Sequence, residues 1–273
     1  MKALAATDWT ISGNFLLLTS LFFTIVFLRY ALLSGLYHKL LFGWLRHVFS
    51  HRMLQRRYTP GQMIREIAWS AITSLIFAVS GVLMLILWQK GYTRLYTDVF
   101  QYPLWYLPVS LMIYMLIHET YYYWLHRWMH RPDIFRKIHK VHHDSIETSS
   151  WTSFSFHPWE SILQAVVIPV LLFIIPIHIF VLLALLVLMT LSAIINHAGV
   201  EVYPAGFERN PIGKWLIGAV HHDIHHKKFR YNFGLYFTFW DKWMKTESPD
   251  FESKFREKTG QTRVGDDIPS GER

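Results

Sequence analysis

Long apolar runs occupy much of the chain, and they predict its main elements. Crossing the hydrocarbon core of a bilayer takes about 20 apolar residues in a helix. Three runs are each long enough for one crossing: residues 11–36, 67–88 and 102–125. A fourth run, 161–195, is too long for one crossing and contains Pro169 and Pro176. Because proline interrupts a helix, we expect a helical hairpin that turns near residues 176–178.

The segments outside these runs are polar. Residues 37–60 are basic and amphipathic, which is typical of a segment lying at the membrane interface. From about Glu247 the chain is rich in glycine, serine and charge, so we predict a polar, disordered tail over 247–273. Arg29 lies near one end of the first span, where its long side chain can reach the interface. The pattern predicts an all-α, polytopic membrane protein with about four transmembrane helices, the hairpin included.

Composition and charge support this class and exclude several kinds of site. The 273 residues are 52% hydrophobic, with a mean hydropathy of +0.21 and a formal net charge of +8. The basic residues cluster beside the apolar runs, as expected next to anionic lipid headgroups, so we expect no nucleic acid partner. The chain has no cysteine, which excludes disulfides and thiolate metal sites.

The distribution of basic residues predicts the orientation in the membrane. Six lie between the first two spans: Lys39, Arg46, Arg52, Arg56, Arg57 and Arg65. The next loop has only Lys90 and Arg94, whereas residues 126–158 are again basic. Under the positive-inside rule, residues 126–158 face the cytoplasm and the N-terminus lies outside. The hairpin then returns the chain to the cytoplasm, so all the histidine clusters share that side.

Histidines concentrate in three short clusters that have the spacing of metal ligands. HRWMH at 126–130 places two imidazoles four residues apart, and HKVHH at 139–143 and HDIHH at 222–226 each place three at i, i+3 and i+4. On a helix these spacings bring the rings to one face. Eight neutral nitrogen ligands are the number for two metal ions. The predicted ligands are His126, His130, His139, His142, His143, His222, His225 and His226.

Further candidates lie close to these clusters in the sequence. His197 follows the end of the hairpin and is predicted as another ligand. Glu201, one helical turn later, either binds metal or supports a ligand. Glu119 lies seven residues before His126 on the same helical face, where a carboxylate within a membrane helix needs a partner. We therefore expect Glu119 to support a histidine.

The remaining polar residues of the region receive smaller roles. In FHPWE, His157 and Glu160 either belong to the site or cap the following helix, and we favour a site role for His157. His221 does not share the spacing of its cluster, so we place it beside the ligands or on the substrate side. His118 is expected only to hydrogen-bond, and His178 to lie at the membrane interface.

These motifs resemble those of the fatty acid hydroxylase/sterol desaturase superfamily. HRWMH, HKVHH and HDIHH match its boxes HxxxH, HxxHH and HxxHH, and the similarity extends to YYYWLHR, FSFHPWE, NHAGVE and NFGLYFTFWDKW. It covers residues 110–246. FHPWE and the chain length are more similar to the sterol desaturase branch than to the long-chain 2-hydroxylases. One departure is Lys245, where the family motif WDxxxGT has glycine.

The resemblance implies a catalytic domain at 110–246, in which a cytosolic, histidine-rich helical cap covers the membrane helices, and an N-terminal anchor at 1–109. It implies two Fe²⁺ ions, held by the eight clustered histidines together with His197, and O₂ as co-substrate. The substrate would be a lipid, sterol-like or fatty acyl, that is hydroxylated or desaturated at an unactivated C–H position. The chain has no HPGG motif of a haem domain, so we expect a separate ferredoxin, cytochrome b5-like protein or reductase as electron donor.

Other classes of membrane protein fit the pattern less well. A zinc hydrolase would need HExxH, but HETYY at 118–122 has Tyr122 in place of the second histidine. A haem-binding electron carrier would need histidines in the middle of its spans, whereas these lie at helix ends. A metal transporter would need polar residues at mid-membrane. The sequence leaves open whether the lipid is a sterol, hopanoid, carotenoid or acyl chain, and whether the product is an alcohol or an alkene.

Overall fold

The structure is a computed structural model that describes residues 9–54 and 58–260. It is mostly helical, as the apolar pattern predicts. The α-helices are α1 (Ser12–His38), α2 (Arg46–Phe49), α3 (Pro60–Gln89), α4 (Tyr106–Met129), α5 (Pro132–Ile138), α6 (Lys140–His143), α7 (Pro158–Ile174), α8 (Ile179–His197), α9 (Ala219–Lys228), α10 (Phe239–Trp243) and α11 (Phe251–Thr259). The other helices are a π-helix, Lys39–Trp44, and four 3₁₀ turns, Ser50–Arg52, Ser150–Phe154, Phe207–Arg209 and Gly213–Trp215.

Three helical segments in the described part of the chain are long and apolar enough to cross a membrane. They are Ser12–Trp44, Pro60–Gln89 and Ile179–His197. The shorter helix α7 is also apolar. Helix α4 contains the run expected as a further span, but it carries buried polar residues, among them His118 and Glu119, and does not reach the same apolarity. The described residues therefore contain three candidate spans and one shorter apolar helix, in agreement with the expected all-α membrane fold.

The apolar run 161–195 forms the expected helical hairpin. Helices α7 and α8 are separated by a short turn whose last two residues form the strand β2 (Ile177–His178). This strand pairs in parallel with β1 (Leu95–Tyr96), and His178 Nδ1 accepts a hydrogen bond from Phe180 N–H at the start of α8. His178 is 1% exposed. It caps α8 at the turn of the hairpin, and its position at the membrane interface stays a prediction.

The predicted polar tail is wrong for its first part. Helix α11 lies within it, and its residues Phe251 and Phe255 are buried in one apolar cluster with Val220 and Ile224 of α9. Two aromatic residues four positions apart share a helical face, and this pair fixes α11 beside the histidine-bearing helix α9. The rest of the predicted tail, 261–273, lies outside the described residues.

Candidate metal centre

The nine predicted histidine ligands lie in two adjoining groups. In each group, one ring nitrogen per residue lies within 4.8 Å of the others. The five-histidine group contains His126, His130, His139, His143 and His225. The four-histidine group contains His142, His197, His222 and His226. The structure thus brings residues from α4, α6, α8 and α9 together at the ends of the apolar helices.

The two HxxHH boxes each contribute to both groups. His139 and His143 belong to the five-histidine group while His142 belongs to the other; His225 is likewise separated from His222 and His226. Residues i and i+4 nearly align on a helix, whereas i+3 is displaced by about 100° from i+4. Each box therefore faces two sites instead of one. Helix α4 ends before His130, and Pro132 starts α5, so residues 126–143 form three short helical pieces and not one helix.

The ring nitrogens that face each other lack the protons needed to bond to one another. His142 Nδ1 and His197 Nδ1 lie 3.3 and 2.7 Å from the backbone oxygens of Ser155 and Ala193. A carbonyl oxygen only accepts, so a neutral ring donates from Nδ1 and keeps a bare Nε2. The two Nε2 atoms are nevertheless 3.1 Å apart. Facing lone pairs at this distance repel unless a cation lies between them, so the donor set fits a metal.

The five-histidine group has the same arrangement. His126 Nδ1 lies 2.8 Å from the backbone oxygen of Phe233, and His225 Nδ1 lies 2.7 Å from that of Tyr231. His126 Nε2 then faces His139 Nε2 at 3.1 Å. Burial lowers the pKa of His139 and His225 well below the ordinary imidazole value, and charge on neighbouring rings would lower it further. Rings that stay neutral near pH 7 are the form that binds metal.

Glu160 is the buried carboxyl group beside the predicted ligand His139, whereas the sequence favoured a site role for His157. Glu160 Oε1 lies 2.9 Å from His139 Nδ1, with both side chains fully buried. A carboxylate on the second ring nitrogen fixes the tautomer and raises the basicity of the other. His157 instead caps α7, where its Nδ1 accepts from Trp159 N–H. Its ring lies 6.3 Å from that of Trp69, which corrects the predicted site role.

Two buried carboxylates hold the loop 231–237 that contacts the five-histidine group. Glu119 accepts hydrogen bonds from the N–H groups of Leu235 and Tyr236, at 3.1 and 2.7 Å. Asp241, which sequence reasoning missed, accepts from those of Phe233 and Gly234, both at 2.9 Å. Glu119 thus binds backbone instead of the histidine side chain that we expected. It acts on His126 only through the position of the loop carbonyls.

Glu201 and His221 lie outside both groups. Glu201 Oε2 accepts from Val220 N–H at 2.9 Å in the first turn of α9, so it caps the helix that carries the third box. Burial raises the pKa of Glu201 to about 7, against the opposing effect of its backbone hydrogen bonds. The His221 ring stacks on Phe251 at 3.4 Å, and its Nε2 lies 3.6 Å from Glu247 Oε1. Both therefore position α9.

The surroundings of the two groups differ. The rings of Phe135 and Phe229 lie 5.5 and 4.8 Å from His143, and Phe233 lies 5.7 Å from His126, so aromatic side chains cover the five-histidine group. The four-histidine group adjoins a cavity of about 620 Å³, a volume that includes open space at its mouth. The cavity is lined by Arg29, Phe77, His118, Tyr122, Ser153, Phe154, Phe156, Gln164, Leu186, Met189, Thr190, Ala193, His197 and Leu235. Its walls are mostly apolar with a few polar groups, which is the usual composition of a small-molecule site.

Comparison with known proteins agrees with this geometry. Residues 111–246 match the sequence model of the fatty acid hydroxylase family. Lathosterol oxidases of Homo sapiens and Mus musculus are 30% identical over 198 residues, which is 71% of this chain and 64% of theirs. A Delta(7)-sterol 5(6)-desaturase of Gibberella zeae is 28% identical over 197 residues, covering 72% of this chain and 59% of its own.

The chain thus spans less than two thirds of the length of these relatives. No solved structure matches it. The region matched by the family contains all nine histidines of the two groups. By this match and by the names of its relatives, the chain belongs to the fatty acid hydroxylase family, in its sterol desaturase-like branch.

Proposed function

We propose that this protein is an iron- and O₂-dependent oxidoreductase that hydroxylates or desaturates an unactivated C–H position of a lipid. One observation carries the proposal: two adjoining all-histidine groups, one of which opens on a largely apolar cavity between membrane helices. Imidazole suits iron where thiolate is absent. The family match and the sterol-modifying relatives support the same reaction class.

The nine histidines would hold two Fe²⁺ ions, which supply O₂ activation and C–H oxidation when bound. The chain's own contribution is position and exclusion of water. Backbone carbonyls and Glu160 orient the ligand rings, the loop 231–237 fixes two of those carbonyls, and the phenylalanines around His143 keep solvent from the five-histidine group. The cavity holds the lipid against His197. This residue lines the cavity and also contacts His142 of the four-histidine group.

The proposal includes a location and a partner for the reaction. The histidine groups lie on the cytoplasmic side, as the basic loops predict, and a separate soluble or membrane-bound electron carrier reduces the site from there. The rival hydrolase is less well supported, because catalytic zinc sites use three protein ligands and leave one position open. The rival haem carrier is less well supported because nine imidazoles in close contact leave no room for a macrocycle.

The test is lipid oxidation by the purified, iron-loaded protein. The protein in lipid nanodiscs receives O₂, a chemical reductant and either a sterol or an acyl lipid, and products are identified by mass spectrometry. A gain of one oxygen atom or a loss of two hydrogen atoms, dependent on both iron and O₂, is the expected result. Zinc-loaded protein is the matched control. Turnover with zinc alone, or release of a hydrolysis product, would contradict the proposal.

A further inference from the structure

A cationic side chain lies in the cavity beside the four-histidine group. Arg29 belongs to α1, inside the segment Ser12–Trp44 that is apolar enough to span the membrane. Helix α1 continues for nine residues beyond it to His38, so Arg29 lies about 13 Å from that helix end at the rise of an α-helix. The side chain lines the cavity with Phe77 and Phe154. Its sequence position predicted a side chain that reaches the membrane interface, and the structure places that side chain at the cavity wall.

No acidic group of the described chain balances this charge. Arg29 takes part in none of the ion pairs among the described residues, and its Nε is buried without a hydrogen-bond partner. The other described residues that line the cavity are apolar or neutral polar side chains. A guanidinium has five N–H donors and cannot lose its charge in a protein. An unpaired cation at this depth is costly, and such residues mark binding sites in membrane proteins.

The backbone that carries Arg29 is held in place by the turn Ser150–Phe154. Tyr30, the next residue, donates from its hydroxyl to the backbone oxygen of Trp151 at 2.8 Å, and its ring stacks on Phe154 at 5.3 Å. One turn later, Ser34 and Ser150 each donate to the other's backbone oxygen at 2.9 Å. These contacts fix the backbone of Arg29 at the cavity wall. A side chain that starts from a fixed backbone loses less freedom when a ligand binds.

We infer that Arg29 binds the oxygen-bearing end of the lipid substrate. The inference rests on the proposed function, because it names the substrate class of that same cavity: a lipid with an apolar body and one hydrogen-bond-accepting end group. The guanidinium donates to that oxygen, and the aromatic and aliphatic walls contact the apolar body. His197 lines the same cavity, so a lipid held by Arg29 lies against the four-histidine group. A sterol hydroxyl and a fatty acid carboxylate share this chemistry.

The test is equilibrium binding of labelled lipids to the full-length protein in nanodiscs. Two pairs of probes separate the sources of the oxygen: cholesterol against 5-cholestene, and oleic acid against 8-heptadecene. The first member of each pair is called uncapped, and the second, which lacks the oxygen-bearing group, is called capped. Arg29→Met is compared with Arg29→Lys, which keeps the charge, and with Arg94→Met, the same substitution at an exposed arginine outside the candidate spans. Loss of a charge-assisted hydrogen bond lowers affinity about ten- to a hundredfold.

Arg29→Met is expected to show this loss for one uncapped lipid and no loss for its capped partner, with partial recovery in Arg29→Lys. The affected pair identifies the lipid as a sterol or a fatty acid. Equal affinity of Arg29→Met and wild type for every probe, or equal losses for capped and uncapped probes, would overturn the inference. If the Arg29→Met variant does not fold, the wild-type protein alone tests the inference. Equal affinities of the wild type for the uncapped and the capped lipid of both pairs would overturn it.

Iron content and lipid oxidation are measured on the same preparations, so the two proposals fail separately. Protein that binds an uncapped lipid through Arg29 but oxidises none contradicts the proposed function alone. If the Arg29→Met variant binds and oxidises lipid as the wild type does, only the role of Arg29 is contradicted.

Discussion

The two histidine groups differ in how the fold holds them. In the five-histidine group, three rings have a partner at Nδ1: His126 and His225 face carbonyls of the loop 231–237, and His139 faces Glu160. The group is covered by phenylalanine rings, and none of its members lines the cavity in the described part of the chain. It is an enclosed site whose geometry depends on a loop and a carboxylate from elsewhere in the sequence.

The four-histidine group has backbone partners at two of its rings, one of them within the same helix, and it adjoins the cavity. His197 donates to Ala193 within α8 at 2.7 Å, and His142 lies 3.3 Å from the backbone oxygen of Ser155. His222 Nδ1 and His226 Nδ1 are buried without a partner, as is His143 Nδ1 in the five-histidine group. His197 also lines the cavity. Under the proposed function, the five-histidine group would retain its metal in an enclosed site, and the four-histidine group would meet the substrate.

The largest expected effect is loss of turnover when one ligand is removed from either group. His142→Ala and His225→Ala should each lower lipid oxidation by more than about a hundredfold. Removing a metal ligand has a larger effect than removing the group that hydrogen-bonds to a ligand, which costs about ten- to a hundredfold. Membrane insertion should be unchanged, since neither residue belongs to an apolar span. Turnover and the membrane-bound fraction are measured together. Wild-type activity in either variant would contradict the assignment of these ligands.

A smaller effect, confined to one group, is expected for Glu160→Gln. The change replaces the carboxyl group beside His139 Nδ1 by an amide and should weaken metal binding by the five-histidine group about ten- to a hundredfold. Iron is removed by titration with a chelator, and the iron that remains bound is measured at each step. The two histidine groups are expected to lose their iron in separate phases. His157→Gln, three residues away, is the control and should titrate like wild type. Equal effects of Glu160→Gln on both phases would remove the distinction between the groups.

The loop that serves the five-histidine group should tolerate no side chain at Gly234. A Cβ there would lie 2.6 Å from both Phe237 O and Ile217 Cδ1. Gly234→Ala is expected to destabilise the protein by about 1–3 kcal/mol, the usual cost of overpacking, and to lower iron content. Thermal unfolding in detergent measures the first effect. Gly61→Ala, where nothing lies within 4 Å, is the control, and an equally small effect at both glycines would show that the loop is not tightly held.

The smallest expected effect is a gain in stability from Lys245→Gly. Lys245 has φ 56°, in the left-handed region that favours glycine, at the position where the family motif has glycine. The substitution should stabilise the folded state by about 1 kcal/mol and leave metal binding unchanged, since Lys245 contacts neither group. The readout is the unfolding temperature in detergent. A lower unfolding temperature would indicate that the lysine side chain makes a contact that outweighs the backbone strain.

The sequence predicted those parts of the fold and site that depend on local spacing. The hairpin followed from Pro176 in an overlong apolar run, and the histidine boxes from their i, i+3 and i+4 repeats. The partners of those histidines could not be predicted in the same way, because Glu160 meets His139 across 21 residues and Phe233 meets His126 across 107. Such contacts depend on tertiary packing, which spacing along one helix does not encode.

Two errors had a signal that could have been used. In FHPWE the proline directly after His157 marks a helix start, which makes His157 the cap and turns Glu160 inward. In the predicted tail, Phe251 and Phe255 are spaced for one helical face within an otherwise charged segment. The division of each box between two groups also follows from the 3.6-residue repeat, once i+3 and i+4 are treated as different directions.

The most direct test of the central claim is iron content per folded chain in wild type and two double variants. His126→Ala with His225→Ala removes two ligands from the five-histidine group, and His222→Ala with His226→Ala removes two from the other. The account predicts two irons in wild type and one in each variant. One iron or none in folded wild type, or loss of both irons in either variant, would contradict two separate metal sites.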